Sequence, residues 1–334
     1  MSPLVNYACP PSAPTAGETH DLDFCAYACK AQCLPTVVLA RIWELNQINP
    51  HRGDLISPTS LKACPRKLIL TRLTDYSDTP PHLYWSTRGS LYHGFLESDL
   101  PDVYSECRIW KGIDLPCCDP FILSGAIDTY EVRKEKLSDI KTLADKGLVF
   151  LFKEGVKPEY IAQTNVYRYL MDGGHLQQGP EQNDRDPEIR WPVKEIQIHH
   201  LLMSEVVSSG TTFIHREFAF KEPNYGKPYA MEVSRRQEGK TKKGCPIWEL
   251  TIRIPPIPVW PTEQVEQYIV ENAPALVRGF REPTWMPPAP PLTDESRAWE
   301  CGFCPIKATC DRYEEQQRLA ALNEVPQVSE ELMF

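Results

Sequence analysis

Between residues 107 and 142 apolar side chains come in short runs bounded by turn residues, so 107–111, 121–132 and 136–142 read as strands. Upstream, Ser57, Pro58, Thr59 and Ser60 precede a segment carrying Leu61, Leu68 and Ile69. A hydroxyl there is expected to cap the unpaired amides at the start of one helix. A second helix is expected over 87–96, which places His93 and Glu97 a turn apart near its end. Past the strand block, 159–171 reads as helical with Gln163 and Tyr167 on one face. A polar loop follows, then strand-like segments at 193–203, 212–220, 229–234 and 247–254. Trp260, Pro261 and Thr262 lead into an amphipathic helix with Val265, Tyr268 and Ile269 in helical spacing. A proline-rich connector at 283–291 ends in a cysteine group and a polar, helical tail, and no internal repeat is present. Strands mixed with helices in this way predict an α/β fold.

The 334 residues suffice for a substantial core, and 42% hydrophobic content is ordinary for a globular chain. No apolar run approaches the roughly 18 residues of a membrane span, so none is expected. A net charge of -9 argues against passive wrapping of a polyanion, but not against an enzyme with a local basic groove. Residues 1–55 read as an extension with Pro10, Pro11 and Pro14. Its Cys25, Cys29 and Cys33 are spaced four apart, as on one helix face. A second metal site, buried thiols or an arm that binds a protein partner are the alternatives there. Twelve cysteines without a secretory signal point to metal ligation for some of them, and to an intracellular location, cytoplasmic or nuclear.

The chemistry concentrates at Gly125-Ala126-Ile127-Asp128 and Asp139-Ile140-Lys141-Thr142. Two carboxylates offer hard oxygens to magnesium or manganese, and such an ion supports phosphodiester hydrolysis. Lys141 lies two residues past Asp139, so on a strand both side chains share one face. There the ammonium can orient water and offset charge developing on phosphorus. Gly125 suits close backbone approach near a ligand. His93 and the Ile140 carbonyl are further candidate metal ligands, and Gln163 and Tyr167 could contact a phosphate or support Lys141. The competing reading makes Asp139 and Lys141 solvated polarity on an edge strand, and His93 a structural histidine.

Cys301 and Cys304 form a Cys-x-x-Cys pair, with Cys310 after five intervening residues. One disulfide cannot account for three such thiols. Cys64, in Lys62-Ala63-Cys64-Pro65-Arg66-Lys67, is the candidate fourth ligand. Four thiolates suit zinc or an iron–sulfur cluster, and spacing does not separate the two. No Gly-rich phosphate loop ending in Gly-Lys-Ser/Thr occurs, which excludes an internal motor of that type. The basic stretch 235–243, with Arg66, Lys67 and Arg72, could line a phosphate path; a solvated hairpin loop is the plainer reading. Tyr84, Trp85, Tyr92 or Trp299 could stack on unpaired bases.

In order and spacing these motifs resemble the RecB-like branch of the PD-(D/E)XK nucleases over about residues 56–310. That family pattern is a helical histidine, a Gly-x-x-Asp strand, an Asp/Glu-x-Lys strand and a Gln-x-x-x-Tyr helix. Here it falls on His93, Gly125 to Asp128, Asp139 to Lys141, and Gln163 to Tyr167. The resemblance implies one PD-(D/E)XK nuclease domain over 56–310, its mixed central sheet flanked by helices, preceded by the extension 1–55 and followed by a tail, 311–334. It implies that His93, Asp128, Asp139 and the Ile140 carbonyl hold Mg2+ or Mn2+, that Lys141 is catalytic, and that Gln163 and Tyr167 support the site or substrate. CRISPR-adaptation and AddB-like relatives combine one upstream cysteine with a Cys-x2-Cys-x5-Cys group around a [4Fe-4S] cluster. Cys64, Cys301, Cys304 and Cys310 match that pattern, so the resemblance favours an iron–sulfur clasp over zinc. The implied activity is metal-dependent DNA hydrolysis, as an exonuclease on single-stranded or frayed ends. A structure-selective endonuclease and a non-catalytic DNA-processing subunit are the alternatives.

Overall fold

The computed structural model describes the chain except for residues 1–3, 11–12, 14–15, 31–32, 49–54, 74–75, 81–82, 85–86, 88, 90–99, 117, 144, 180, 202–205, 220, 222–231, 283, 289–300, 303, 305 and 324–334. His93, Trp85, Tyr92 and Trp299 lie outside the described residues, as does most of the helix expected over 87–96.

In chain order the elements are β1 (Leu4–Ala8), β2 (Thr19–His20), a π-helical turn (Phe24–Ala28), α1 (Thr36–Ile48), α2 (Pro58–Lys62), α3 (Pro65–Leu73) and β3 (Tyr76–Asp78). Then come β4 (Val103–Ile113), β5 (Phe121–Glu131), β6 (Lys136–Thr142), α4 (Asp145–Glu154), α5 (Pro158–Met171), β7 (Asp172–Leu176), β8 (Glu188–Arg190), β9 (Glu195–Leu201) and β10 (Val206–Ser208). The last are β11 (Thr212–Phe218), β12 (Glu232–Lys240), β13 (Pro246–Arg253), α6 (Thr262–Asn272), α7 (Pro274–Arg281) and α8 (Lys307–Asn323). The chain is mixed α/β and divides into two compact units.

The larger unit, Leu55–Lys62 with Arg88–Pro274, is built on a seven-stranded sheet of order β10-β9-β6-β5-β4-β7-β8. Only the β6–β9 pair is parallel, so this large central sheet is mixed. Strand β5 is central and covered on both faces. It buries Phe121, Leu123, Ile127 and Tyr130 together with Ser124 and Asp128, which is why its sequence runs nearly continuously apolar. Helix α5 packs across β4 to β7, burying Ala162, Val166, Leu170 and Met171. Pro158 opens α5 at a position whose N–H would have had no partner in any case. Buried Asn165 fastens the segment ahead of α6: its amide donates to the Ile161 and Pro258 carbonyls, and its oxygen accepts from the Trp260 N–H at 2.8 Å. On α4, Leu148, Leu151 and Phe152 form a separate core with Val207, Leu250, Ile252 and Ile254, beneath the small sheet β11-β13-β12.

Two expected elements take a different form. The single helix expected from Ser57 through Ile69 is two helices, α2 and α3, with the break before Pro65. A proline ring disfavours helical backbone at the residue before it. Ser57 still caps the first piece, its Oγ accepting from the Ser60 N–H at 3.0 Å. The basic stretch read as a hairpin loop is strand through Lys240, and only Thr241 to Gly244 turn. Its Arg236 pairs with Glu249 at 3.2 Å across the ladder, and Arg216 with Glu238 at 3.1 Å. Alternating charge on facing strands stabilises strand where composition alone suggests loop.

The other unit joins Met1–Asp54, Ala63–Thr87 and Ala275–Phe334. Its sheet, β2-β1-β3, pairs β1 in parallel with β3. Tyr7 is buried among Leu39, Ile42 and Leu83, its hydroxyl donating to the Leu39 carbonyl at 2.7 Å. Part of the region read as an extension is therefore packed core. Helices α3 and α8 meet at buried Arg66, whose guanidinium reaches Glu314 at 3.1 Å and the Cys310 carbonyl at 3.5 Å.

Candidate active site

The β5–β6 ladder pairs Glu131 with Lys136, Tyr130 with Leu137, and Thr129 with Ser138. Beyond that register Asp128 meets β6 through its side chain: Oδ2 accepts the Ile140 backbone N–H at 2.6 Å. One carboxylate thus docks on the chain between Asp139 and Lys141. On its other edge β6 runs parallel to β9, setting Asp139 beside Ile198 and Lys141 beside His200.

Asp139 is 2% exposed and Asp128 8%. The Lys141 ammonium donates to Asp139 Oδ1 at 2.9 Å and lies 2.8 Å from Oδ2 as an ion pair. Oδ2 is buried and, beyond that ion contact, makes no aligned hydrogen bond. Burial alone would lower the Lys141 pKa; the Asp139 carboxylate beside it, with Asp128 behind, holds it above the ordinary lysine value. His200 is pushed down to about 4, chiefly by burial, so it is neutral at pH 7.

The helix α5 covers this pair. Gln163 donates its amide to the Tyr167 hydroxyl at 3.3 Å and to Thr59 Oγ1 at 3.1 Å. Its oxygen accepts from Lys62 Nζ at 3.1 Å. Burial raises the Tyr167 phenol to about 12, with Asp139 adding to the shift, so it stays a neutral hydrogen-bonding group. Gly125 leaves room for this helix. A Cβ there would lie 2.6 Å from Tyr167 Cε1 and 2.9 Å from Pro58 Cδ, so the space above it is taken by protein packing.

The structure therefore brings together Asp128, Asp139, Ile140, Lys141, Gln163 and Tyr167. Sequence reasoning missed Lys62, Lys157 and Tyr160, which also belong to this cluster. Lys62 Nζ sits 4.5 Å from the Tyr160 ring centroid, Lys141 Nζ 5.2 Å and Lys157 Nζ 5.9 Å. No local pattern announces Lys62, because its partner Gln163 lies 101 residues away.

In the other unit Cys64, Cys301, Cys304 and Cys310 are half-buried free thiols. Burial raises the Cys304 thiol, and Cys301 and Cys64 add to the rise. Cys310 is raised by burial and also feels Cys64. The four are thus electrostatic neighbours. Cys301 and Cys304 close one turn, the Cys304 N–H donating to the Cys301 carbonyl at 3.2 Å. Near the N-terminus, burial pushes Cys25 up to about 11, with further contributions from Cys29, Cys9 and Cys33. Among the described residues no three His, Cys, Asp or Glu side chains already converge on a point that could hold a metal ion. Nor is any helix among them long and apolar enough to cross a membrane.

No known family model matches the chain, and no curated protein matches it in sequence. Among solved structures, one described as the crystal structure of SSO0001 is similar at a TM-score of 0.41 and 15% identity, over 81% of this chain and 93% of that one. A likeness at that level carries no argument about function.

Proposed function

We propose that this chain is a metal-dependent deoxyribonuclease of the RecB-like PD-(D/E)XK type, acting on single-stranded or frayed DNA ends. The observation that carries the reading is the pairing of Lys141 with nearly inaccessible Asp139, while Asp128 docks on the Ile140 N–H between them. Burying two carboxylates and an ammonium is costly, and a surface-polarity reading gives no reason for it. An active site does, because perturbed and paired ionisable groups are what hydrolysis uses.

The donor set suits a hard divalent ion. Both acids present oxygens, and Asp139 Oδ2 is buried without an aligned donor. Asp128, Asp139 and the Ile140 carbonyl, with His93 from outside the described residues, would hold Mg2+ or Mn2+. A bound ion of this kind lowers the pKa of a coordinated water and polarises the phosphate. The chain itself supplies the Lys141 ammonium, which orients water and offsets charge at the phosphoryl oxygens. Gln163 and Tyr167 fix the wall facing that lysine.

The cysteine group fits a metal in kind: four thiols with no disulfide among them, Cys304 feeling Cys301 and Cys64, and Cys310 feeling Cys64. Cys64, Cys301, Cys304 and Cys310 would hold a [4Fe-4S] cluster that ties α3 to the chain around α8.

Anaerobically purified protein incubated with end-labelled linear single strands and with covalently closed single-stranded circles tests the activity. Shortening of the linear strands that needs Mg2+ or Mn2+ and stops in EDTA is expected, with circles spared. Rapid cutting of circles would replace the exonuclease with an endonuclease. No product with either metal would reject hydrolysis altogether.

A further inference from the structure

Three lysines from three separate segments converge on one aromatic ring. Lys62 ends α2, Lys141 lies on β6, and Lys157 is the residue before α5, whose first turn carries Tyr160. Their ammonium nitrogens stand 4.5, 5.2 and 5.9 Å from the ring centroid. They are graded in depth: Lys157 is exposed, Lys62 half-buried, and Lys141 innermost beside Asp139. Of these three lysines, Lys141 alone has an ion pair within the described residues; Lys62 is held by the neutral oxygen of Gln163. The nearby carboxylates are Asp139, already shared with Lys141, Asp128 behind it, docked on the Ile140 N–H, and exposed Glu159 on the first turn of α5. Like charges gathered this way repel, and a fold tolerates the arrangement more readily when an anion completes it.

We infer that Lys62, Lys157 and Lys141, around the Tyr160 ring, form a binding track for the phosphates of a single nucleic-acid strand, leading from the surface to Asp139. The charged donors around the ring are all ammonium groups, and their spread from rim to interior matches a polyanion with regularly repeated charge better than it matches one small ion. That the polyanion is DNA rests on the proposed nuclease function; that the site takes phosphate does not. Lys62 and Lys157 bind and position, and Lys141 alone reaches the carboxylates.

Lys62 also gives the track a pH signature. Burial, then the adjacent Lys141 charge, lowers its pKa to about 8, against the opposing pull of Asp139 and Glu159; Lys157 adds to the lowering. Lys62 is therefore cationic at pH 7 and becomes neutral as pH rises through that value.

The test is binding of a short fluorescent oligodeoxythymidylate to the full chain in EDTA, at several salt concentrations and between pH 7 and pH 9. Lys62→Gln and the exposed-site variant Lys157→Gln should each weaken binding roughly three- to tenfold. Each should also reduce the slope of log affinity against log salt by about 0.7, the share of one phosphate contact on a single strand. Wild-type affinity should fall across this pH interval, and Lys62→Arg should flatten the fall because guanidinium stays charged. Unchanged salt slopes in both glutamine variants, with melting temperatures like wild type, would overturn the track. If those variants bind normally while Lys141-dependent cleavage persists, the track is wrong and the nuclease stands. If binding depends on the lysines and no metal supports cleavage, the track stands and the nuclease is wrong.

Discussion

Lys62 and Lys141 face the same tyrosine ring, yet their acidities move in opposite directions. Burial is the largest single influence on Lys141, but Asp139 within 2.9 Å and Asp128 behind it together outweigh it. Lys62 has only an amide oxygen at 3.1 Å, so burial dominates. The sign for stability follows. The Lys141–Asp139 contribution is fully present below the ordinary lysine pKa and is lost only above it. A wild-type melting temperature measured from pH 7 to pH 9 should accordingly show no loss traceable to this pair. Asp128 holds a backbone amide as well as a negative charge. Asp128→Ala should leave the Ile140 N–H without its partner, costing about 1–3 kcal/mol in denaturant unfolding, besides abolishing cleavage. Much of this was readable beforehand. An acid and a lysine two apart on a strand must share a face, and the apolar residues around them signal burial. What the spacing could not show is that Asp128 reaches β6 through a main-chain N–H, or that Lys62 joins the cluster. Both depend on tertiary pairing between distant segments.

At the level of elements, the joint between β5 and α5 is tight. Gly125→Ala would drive a methyl into the Tyr167 ring and Pro58, so unfolding experiments should show a loss of about 1–3 kcal/mol from overpacking. Because Tyr167 also bonds Gln163, cleavage should fall as well, even though alanine touches no reacting group. A comparable joint closes the cysteine-bearing unit. Arg66→Ala removes a guanidinium that contacts Glu314 and the Cys310 carbonyl and lies 5.2 Å from the Tyr313 ring centroid. Hydrogen exchange should then speed up in α8 ahead of the central sheet. The elements legible in advance were those with a strong period or a capping signal: β5, β6, α5, α6 and the start of α2. The β1–β3 pairing was not legible, because Leu4 finds its partner at distant Tyr76 and strands of five and three residues leave little pattern. β12 was misread because its charged residues look like loop until Glu249 and Glu238 are placed beside Arg236 and Arg216.

Taken as a whole molecule, the chain is acidic at -9 while its candidate site gathers three lysines around one ring. Net repulsion of a polyanion with local attraction predicts DNA binding that weakens steeply with salt. The cysteines allow a separate test. Anaerobic protein should carry iron and sulfide with broad visible absorption, and Cys304→Ser should lose both; zinc alone, without that absorption, would replace the cluster with a zinc clasp. Alternating strand and helix patterns predicted the α/β class, while the large mixed sheet with flanking helices was what the resemblance implied. The division into two units did not, since one of them collects three stretches distant in sequence. The central claim is that Asp128, Asp139 and Lys141 hydrolyse phosphodiesters, and one comparison tests it most directly. Wild type and Lys141→Ala, matched for folding by circular dichroism, are given linear single-stranded DNA with Mn2+ or Mg2+. The account predicts metal-dependent cleavage by wild type and at least about a hundredfold less by the variant; equal cleavage by both proteins would contradict it.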